Sequence, residues 1–381
     1  MISFDGFRSD YLDWYDTPNM DDFMGKGVRS EGLIPVFVSK TFPNHYSIAT
    51  GLYAENHGLI GNSFYDSILE DKYSLSDRSK VEDPRFYEGE PIWVTAEKQG
   101  VQTASYFWVG SEAPINNTYP TRWKRYEHEL PFDSRIDSVL SWLSMPKKKR
   151  PRLCLLYFHE PDHTGHETGP KSDETAMMVN KLDSLLGIFM EKLEKLSIFD
   201  KLNIVIVSDH GMTEISSERT VNLADHIDIS KIKQEGSGPY SLLYDMEKNQ
   251  IKTIVNQLNK SPNINAYAKK DIPERFHFKK HHRIKDILVL ADEGWYINNQ
   301  SISSSSEIGK QVIKGGTHGY DNQLKSMHAL FIAKGPSFKE GVLVPPFENI
   351  NIYPMICHIL NITPNKNIDG NLKKIIHIFN I

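Results

Sequence analysis

The sequence predicts an α/β fold: a mostly parallel central sheet flanked by helices, with a cap-like insertion. Three observations carry this expectation. Several short apolar runs stop abruptly at polar residues, as strands buried on both faces do. Helical periodicity fills segments between those runs. A less regular stretch, about residues 214–317, breaks the alternation.

The runs come in order. Residues 2–4 lead into Asp5, and residues 33–38 lead toward Thr41. Residues 152–158 lead into His159-Glu160-Pro161-Asp162. Residues 203–207 lead into Ser208-Asp209-His210-Gly211, and residues 329–333 form a further run. The clearest helix covers roughly residues 172–196, with Met178, Leu182, Leu185, Leu186, Phe189 and Leu193 at helical spacing. Open α/β sheets place their sites beyond the carboxyl ends of strands, where these polar residues fall. The 214–317 stretch carries Lys279-Lys280-His281-His282 and a serine-rich run at 301–306, and reads as a cap near the site. The basic run Lys147-Lys148-Lys149-Arg150 lies beside prolines and reads as a solvated loop. No internal repeat is apparent.

Bulk properties narrow the classes. A chain of 381 residues can bury a large core. A net charge of −5 offers no basic field for a nucleic-acid polymer, though small anions can still bind locally. Two cysteines, Cys154 and Cys357, exclude a disulfide scaffold and leave their own pairing open. Cys154 sits in an apolar run and reads as a buried free thiol. No apolar run approaches the ~20 residues of a membrane span, and no signal peptide is visible. Because Met1 begins inside a strand-like run, residues upstream are expected.

Metal-type ligands end four separated segments. They are Asp5; Asp162 and His166; Asp209 and His210; and His318. Three carboxylates and three imidazoles without a thiolate suit zinc in a catalytic setting. Each piece has an ordinary reading too. Asp5 alone is a turn residue, His318 alone a satisfied histidine, and Asp162 with His166 a helix-start pair. Asp209-His210-Gly211 after a β-branched run is harder to dismiss, and the combination is more specific than any member. A fifth element is Ser39-Lys40-Thr41-Phe42-Pro43-Asn44-His45. Pro43 opens an expected helix over 44–50. Thr41 then lies at its N-terminus, where backbone N–H groups favour an anion. A metal-activated Thr41 hydroxyl is a nucleophile; an N-cap is the plain alternative, and both can hold.

With these residues in view, the chain resembles the nucleotide pyrophosphatase/phosphodiesterase family of the alkaline phosphatase superfamily. The matching motifs are Ser3-Phe-Asp-Gly-Phe-Arg8, Lys40-Thr-Phe-Pro-Asn-His45, Gly51-Leu-Tyr-Ala-Glu-Asn-His-Gly58, Gly61-Asn62, Pro161-Asp-His-Thr-Gly-His166, Asp209-His-Gly-Met212 and Gly316-Thr-His-Gly-Tyr-Asp321. Ile272-Pro-Glu-Arg275 and Ala291-Asp-Glu-Gly-Trp295 are similar to family segments as well. The resemblance covers essentially the whole chain.

It implies an alkaline-phosphatase-like fold in a single catalytic domain over 1–381. It implies two zinc ions: one held by Asp162, His166 and His318, the other by Asp5, Asp209, His210 and the Thr41 oxygen. Asn62 matches the residue that donates to a non-bridging phosphoryl oxygen. Phe42 and Tyr157 match aromatic positions of the substrate pocket, and Tyr126 is a third candidate. The implied reaction is hydrolysis of phosphodiester or pyrophosphate bonds of nucleotides through a threonyl-phosphoryl intermediate, releasing a nucleoside monophosphate. The partner is then a small nucleotide or phosphodiester. With two cysteines and a tail at Asn367-Ile-Asp-Gly-Asn-Leu, the chain resembles compact bacterial members, which implies an extracytoplasmic home, periplasmic or secreted.

Other readings fit less well. A phospholipid- or glycerophosphodiester-cleaving relative would use a comparable apolar pocket. A monoesterase would favour a cation where Asn62 stands. A sulfatase needs Cys or Ser, then proline two residues on and arginine four on; here stand Thr41, Pro43 and His45. A non-catalytic binding protein on the scaffold predicts loss of a ligand or the nucleophile, and all seven are present. The natural substrate and the oligomeric state stay open.

Overall fold

The computed structural model describes residues 1–298 and 313–380; the serine-rich run at 301–306 lies outside them. Its centre is an eight-stranded sheet. In chain order the strands are β1 (Ile2–Phe4), β2 (Val28–Ser30), β3 (Thr103–Tyr106), β4 (Arg122–Lys124), β5 (Leu153–Phe158), β6 (Ile204–Val207), β7 (Phe331–Lys334) and β8 (Val342–Val344). Across the sheet they run β8-β2-β7-β6-β1-β5-β3-β4. Only β7 is antiparallel to its neighbours, β2 and β6. Strand β1 is central, with Ile2 opposite Leu156 of β5 and Ile206 of β6.

Side chains alternate across this sheet, so one sequence run feeds two cores. Ile204 and Ile206 of β6, with Phe4, Leu156 and Phe158, pack on one face with Leu182, Leu186 and Phe189. Val205 and Val207, with Leu153 and Leu155, pack on the other with Tyr46, Ile48, Trp93 and Met355. Both faces are covered by helices, which is why these runs are apolar throughout rather than alternating.

The helix expected over 172–196 spans Asp173–Glu194. Ser172 caps it, its hydroxyl accepting the Thr175 N–H at 3.1 Å, and Asp173 and Glu174 face the positive end of its dipole. The basic loop at 147–149 is exposed as expected.

Three expectations need correction. Residues 33–38 do not form a central strand. Only Leu33–Ile34 is extended, paired in parallel with Phe347–Glu348. Pro35 has no N–H for a ladder. The Asn44 side chain services the rest: its Oδ1 accepts from Val36 N–H at 2.7 Å, and its Nδ2 donates to the Val38 carbonyl at 3.0 Å and the Lys40 carbonyl at 2.9 Å. The helix expected from Asn44 instead begins at Thr41 and runs to Thr50. Pro43 is tolerated in that first turn because no N–H there has an intrahelical partner. Cys154 is partly exposed rather than buried; it and Cys357 are both free thiols.

Within 214–317 lies a second, antiparallel sheet of Lys233–Glu235, Tyr240–Tyr244, Ile287–Ala291 and Ile264–Ala268, in that order. Leu243, Ile287 and Val289 point into a separate apolar cluster with Ile254 and Leu258 of the helix Ile251–Leu258. Leu242, Leu288 and Leu290, on the opposite face, join the central core. The second sheet is therefore fastened to the first by continuous burial.

Candidate metal centre

Asp5, Asp209 and His210 follow the carboxyl ends of adjacent strands β1 and β6. Asp162 and His166 stand four apart on one face of the helix Asp162–Thr168, which follows β5. His318 follows the short strand Gly316–Thr317. All six sequence-expected ligands converge. Asp162, His166 and His318 bring ligand atoms within 4.8 Å of one another, and so do Asp5, Asp162 and His210. The His210 and His318 rings stack at 3.5 Å, joining the two halves.

Gly6 permits this approach. It sits at φ +67°, and a Cβ there would lie 2.7 Å from the Asp162 Cβ. Its N–H donates to Asp209 Oδ1 at 3.1 Å.

The imidazoles are set in one tautomer. His166 Nδ1 lies 2.8 Å from the Gly316 carbonyl, His210 Nδ1 2.8 Å from that of Gly211, and His318 Nδ1 2.8 Å from that of Ser39. A carbonyl can only accept, so each Nδ1 carries the proton and each Nε2 presents a bare lone pair. The Nε2 atoms of His166 and His318 are 3.1 Å apart. Two lone pairs facing at that distance call for a cation between them. The carboxylates agree: Asp5 Oδ1 and Asp162 Oδ1 are buried without a hydrogen-bond partner, and Asp209 Oδ2 faces His210 Nε2 at 2.9 Å. Buried oxygens without donors are costly unless a positive charge answers them. These residues fit metal ions.

Burial, then the charges of Asp209 and Asp162, push the Asp5 carboxyl well above the usual carboxylate range. Burial, then the charges of His210 and Lys40, push His318 well below the usual imidazole range. Burial also pushes the Lys40 ammonium down to about 8, with Asp162 opposing.

Thr41 is the first residue of its helix and makes no capping bond. Its hydroxyl lies 3.3 Å from His210 Nε2, where it can donate. Asn62 Oδ1 accepts the Phe42 N–H at 2.9 Å, leaving the amide NH2 as the free donor end. Phe42 is partly exposed and meets Tyr73 edge-on at 6.0 Å. Tyr157 is buried, and its hydroxyl donates to Asp5 Oδ2 at 2.6 Å. Tyr126 lies 6.2 Å from Tyr157, ring to ring, and edge-on to Phe107.

Sequence reasoning passed over His45. Its Nδ1 lies 3.0 Å from the Thr41 carbonyl and 3.4 Å from Asp209 Oδ2, and its Nε2 lies 2.8 Å from Ser3 Oγ. With the Nδ1 proton on that carbonyl and Nε2 accepting from Ser3, His45 braces the turn that carries Thr41. The signal was there: His45 is four residues beyond Thr41, on the same helix face.

Comparison with known proteins decides the family. The model of type I phosphodiesterase / nucleotide pyrophosphatase matches residues 1–321. The chain belongs to this family. It is 39% identical over 389 residues to a venom phosphodiesterase of Crotalus durissus collilineatus, covering 99% of this chain and 46% of that protein. It is 38% identical over 385 residues to bis(5'-adenosyl)-triphosphatase enpp4 of Xenopus laevis, covering 98% of this chain and 80% of the relative. Mouse ectonucleotide pyrophosphatase / phosphodiesterase 5, solved as an inactive threonine-to-alanine variant in complex with AMP, superposes with a TM-score of 0.91 at 32% identity, covering 100% of this chain and 98% of that one. The chain spans about half the length of the venom enzyme it matches. As a family member it has the expected α/β architecture, and its Asp/His clusters can hold metal. No helix among the described residues is long and apolar enough to cross a membrane.

Proposed function

We propose that the chain hydrolyses phosphodiester or pyrophosphate bonds of nucleotides, with Thr41 as nucleophile and two zinc ions as cofactors, releasing a nucleoside monophosphate. One observation carries the reading: the Nε2 atoms of three imidazoles, each with its Nδ1 turned to a carbonyl, and three buried carboxylates converge beside the Thr41 hydroxyl. Asp162, His166 and His318 would hold one zinc; Asp5, Asp209, His210 and the Thr41 oxygen the other. Two such ions supply charge that favours an alkoxide at Thr41 and steadies the departing oxygen.

Thr41 Oγ gives up its proton to solvent and bonds to phosphorus as the bond to the departing oxygen breaks, that oxygen keeping the electron pair. Water then attacks phosphorus, the Oγ–P bond breaks, and one proton of the water returns to Thr41 Oγ. The Asn62 amide donates to a non-bridging oxygen. Phe42, Tyr157 and Tyr126 face the retained nucleoside, Tyr157 also steadying Asp5. The AMP-bound, threonine-substituted mouse relative supports both the nucleotide and the threonine. Residues 1–381 act as one catalytic domain with 214–317 as its cap. The relative is a venom protein and the mouse neighbour an ecto-enzyme, which supports an extracytoplasmic site of action.

The test is substrate charge. Asn62 is neutral and does little for the second charge of a monoester. The nitrophenyl ester of thymidine monophosphate should exceed nitrophenyl phosphate in kcat/KM by at least ~10²-fold, about 2.7 kcal/mol. Equal rates on the two would overturn the reading.

A further inference from the structure

The loop 125–131 joins β4 to the helix Phe132–Leu143 and carries Tyr126. Arg135, in the first turn of that helix, holds the loop. Its side chain is fully buried, at 0% exposure. A guanidinium stays charged, and it offers five N–H donors and no acceptor. A buried charge is costly unless an acid or several acceptors answer it. Among the described residues no carboxylate pairs with Arg135; the titratable groups that act on it are Tyr126, Tyr157 and Tyr106.

Backbone carbonyls answer it instead. Nε donates to the Leu130 carbonyl at 3.2 Å, and Nη1 to that of Tyr157 at 3.1 Å. Nη2 donates to the carbonyls of His128 and Leu130, each at 3.0 Å. The rings of Phe132 and Phe107 stand 4.9 and 5.0 Å from its Cζ. One side chain thus binds two separate pieces of backbone: the loop that carries Tyr126, and β5 at Tyr157.

The tie reaches the Tyr126 ring through His128. The His128 Nδ1 lies 2.9 Å from the Tyr126 hydroxyl, while the His128 carbonyl is held by Arg135. The His128 ring stacks on His159 at 4.0 Å, and His159 Nδ1 lies 3.5 Å from Arg135 Nη2. Backbone and ring of His128 are therefore both fixed, and the Tyr126 ring stands edge-on to Phe107 at 5.1 Å. His128 is itself exposed, so burial does not explain its place; the Tyr126 hydroxyl does.

We propose that Arg135 and His128 are positioning residues for nucleoside recognition: Arg135 anchors the loop 125–131 to β5, and His128 passes that anchoring to the Tyr126 ring, setting its place beside Tyr157. Neither residue touches the reacting atoms. A ring fixed before substrate arrives spares binding an ordering cost, so the effect falls on KM and only for substrates that carry a nucleoside. The proposal rests on the assignment of Tyr126 to the retained nucleoside given above.

Two diesters separate the roles: the nitrophenyl ester of thymidine monophosphate, and methyl nitrophenyl phosphate, whose retained group is a methyl. His128→Ala should raise KM on the first about five-fold, the scale of one net hydrogen bond, and change kcat/KM on the second by less than about two-fold. His128→Asn, whose amide can stand where Nδ1 stood, should restore KM. Arg135→Lys keeps the charge, but one ammonium cannot span these carbonyls, so KM on the first should rise further. Tyr126→Ala should raise KM at least as much as His128→Ala, and combining the two should add nothing, since His128 acts through that ring. A rise with Tyr126→Ala but not with His128→Ala, or an equal loss on both diesters in His128→Ala, overturns this inference and leaves Tyr126 in its role. If Tyr126→Ala changes neither diester, the role of Tyr126 falls and the inference falls with it. Where Arg135→Lys does not fold, the His128 series decides alone.

Discussion

At Thr41 the hydroxyl has one neighbour that matters, the bare Nε2 of His210 at 3.3 Å. It makes no capping bond, so the helix does not depend on it. Thr41→Ala should therefore reduce kcat on the nitrophenyl ester of thymidine monophosphate by more than ~10³-fold, about 4 kcal/mol of lost transition-state stabilisation. The melting midpoint should stay within about 2 °C, a surface-scale change of ~0.5 kcal/mol. Thr41→Ser keeps an oxygen in place and should retain measurable turnover. Wild-type rates in the alanine variant would remove Thr41 from the chemistry. The same logic explains the histidines. Their capacity to hold a metal is decided by which nitrogen the neighbouring carbonyl occupies, a property that residue type alone does not carry.

At the scale of elements, a buried ion pair joins the hairpin Ser63–Asp66 and Asp71–Ser74 to the second sheet. Asp66 ends the first strand of the hairpin, and Arg283 precedes the strand Ile287–Ala291 of the second sheet. Arg283 Nε donates to Asp66 Oδ2 at 2.6 Å, and both side chains are essentially buried. Arg283 Nη1 also donates to the carbonyls of Gly58 and Phe86, each at 2.8 Å. Burial works against the Asp66 charge, but the Leu69 amide and Arg283 outweigh it and hold the carboxyl well below its usual range. Asp66→Ala leaves the buried guanidinium with only the more distant, half-exposed Glu88 carboxylate at 3.8 Å. It should cost about 3–5 kcal/mol in a urea titration. Because the folded pKa is depressed, this contribution is present above the unfolded value near 3.9 and fades as pH falls below it. The variant's deficit should therefore shrink in acid. A loss below ~1 kcal/mol would show that the hairpin and the second sheet stay joined without the pair.

Over the whole molecule, the metal centre is where three strand ends, a helix start and a return loop meet. Three carboxylates there lie among apolar cores on both faces of the sheet. Their charge is a standing cost to the fold that bound cations would offset. Zinc at a hundred-fold excess over its Kd should add about 2.7 kcal/mol per site, read as a melting midpoint several degrees higher. A chelator should abolish both the increment and the hydrolysis, and two zinc per chain should be recovered. His318→Ala should lower the recovered metal, since it removes a lone pair facing that of His166 at 3.1 Å. A melting midpoint indifferent to zinc and chelator would sink the two-metal proposal.

The sequence by itself determined the layered α/β architecture and the inventory of the centre. Strands β1, β5 and β6 were legible because a strand buried on both faces must be apolar throughout, and it stops where the chain reaches solvent or a ligand. Asp5, Asp162, Asp209 and His210 were legible for the same reason: they stand at those stops. Strands β2, β3, β4 and β8 were missed, since three or four residues at or near an edge carry little apolar signal. Residues 33–38 misled because they are apolar yet take their hydrogen bonds from a side chain, Asn44, rather than from a neighbouring strand. Only the tertiary structure decided the rest: the tautomers of the three histidines, the brace by His45 and the tie from Arg135 to the Tyr126 loop. The His318–Ser39 bond spans 279 residues and the His166–Gly316 bond 150. Neither obeys a helical or strand period, so nothing local encodes it; such pairings exist only once burial of the two cores has brought the strand ends together.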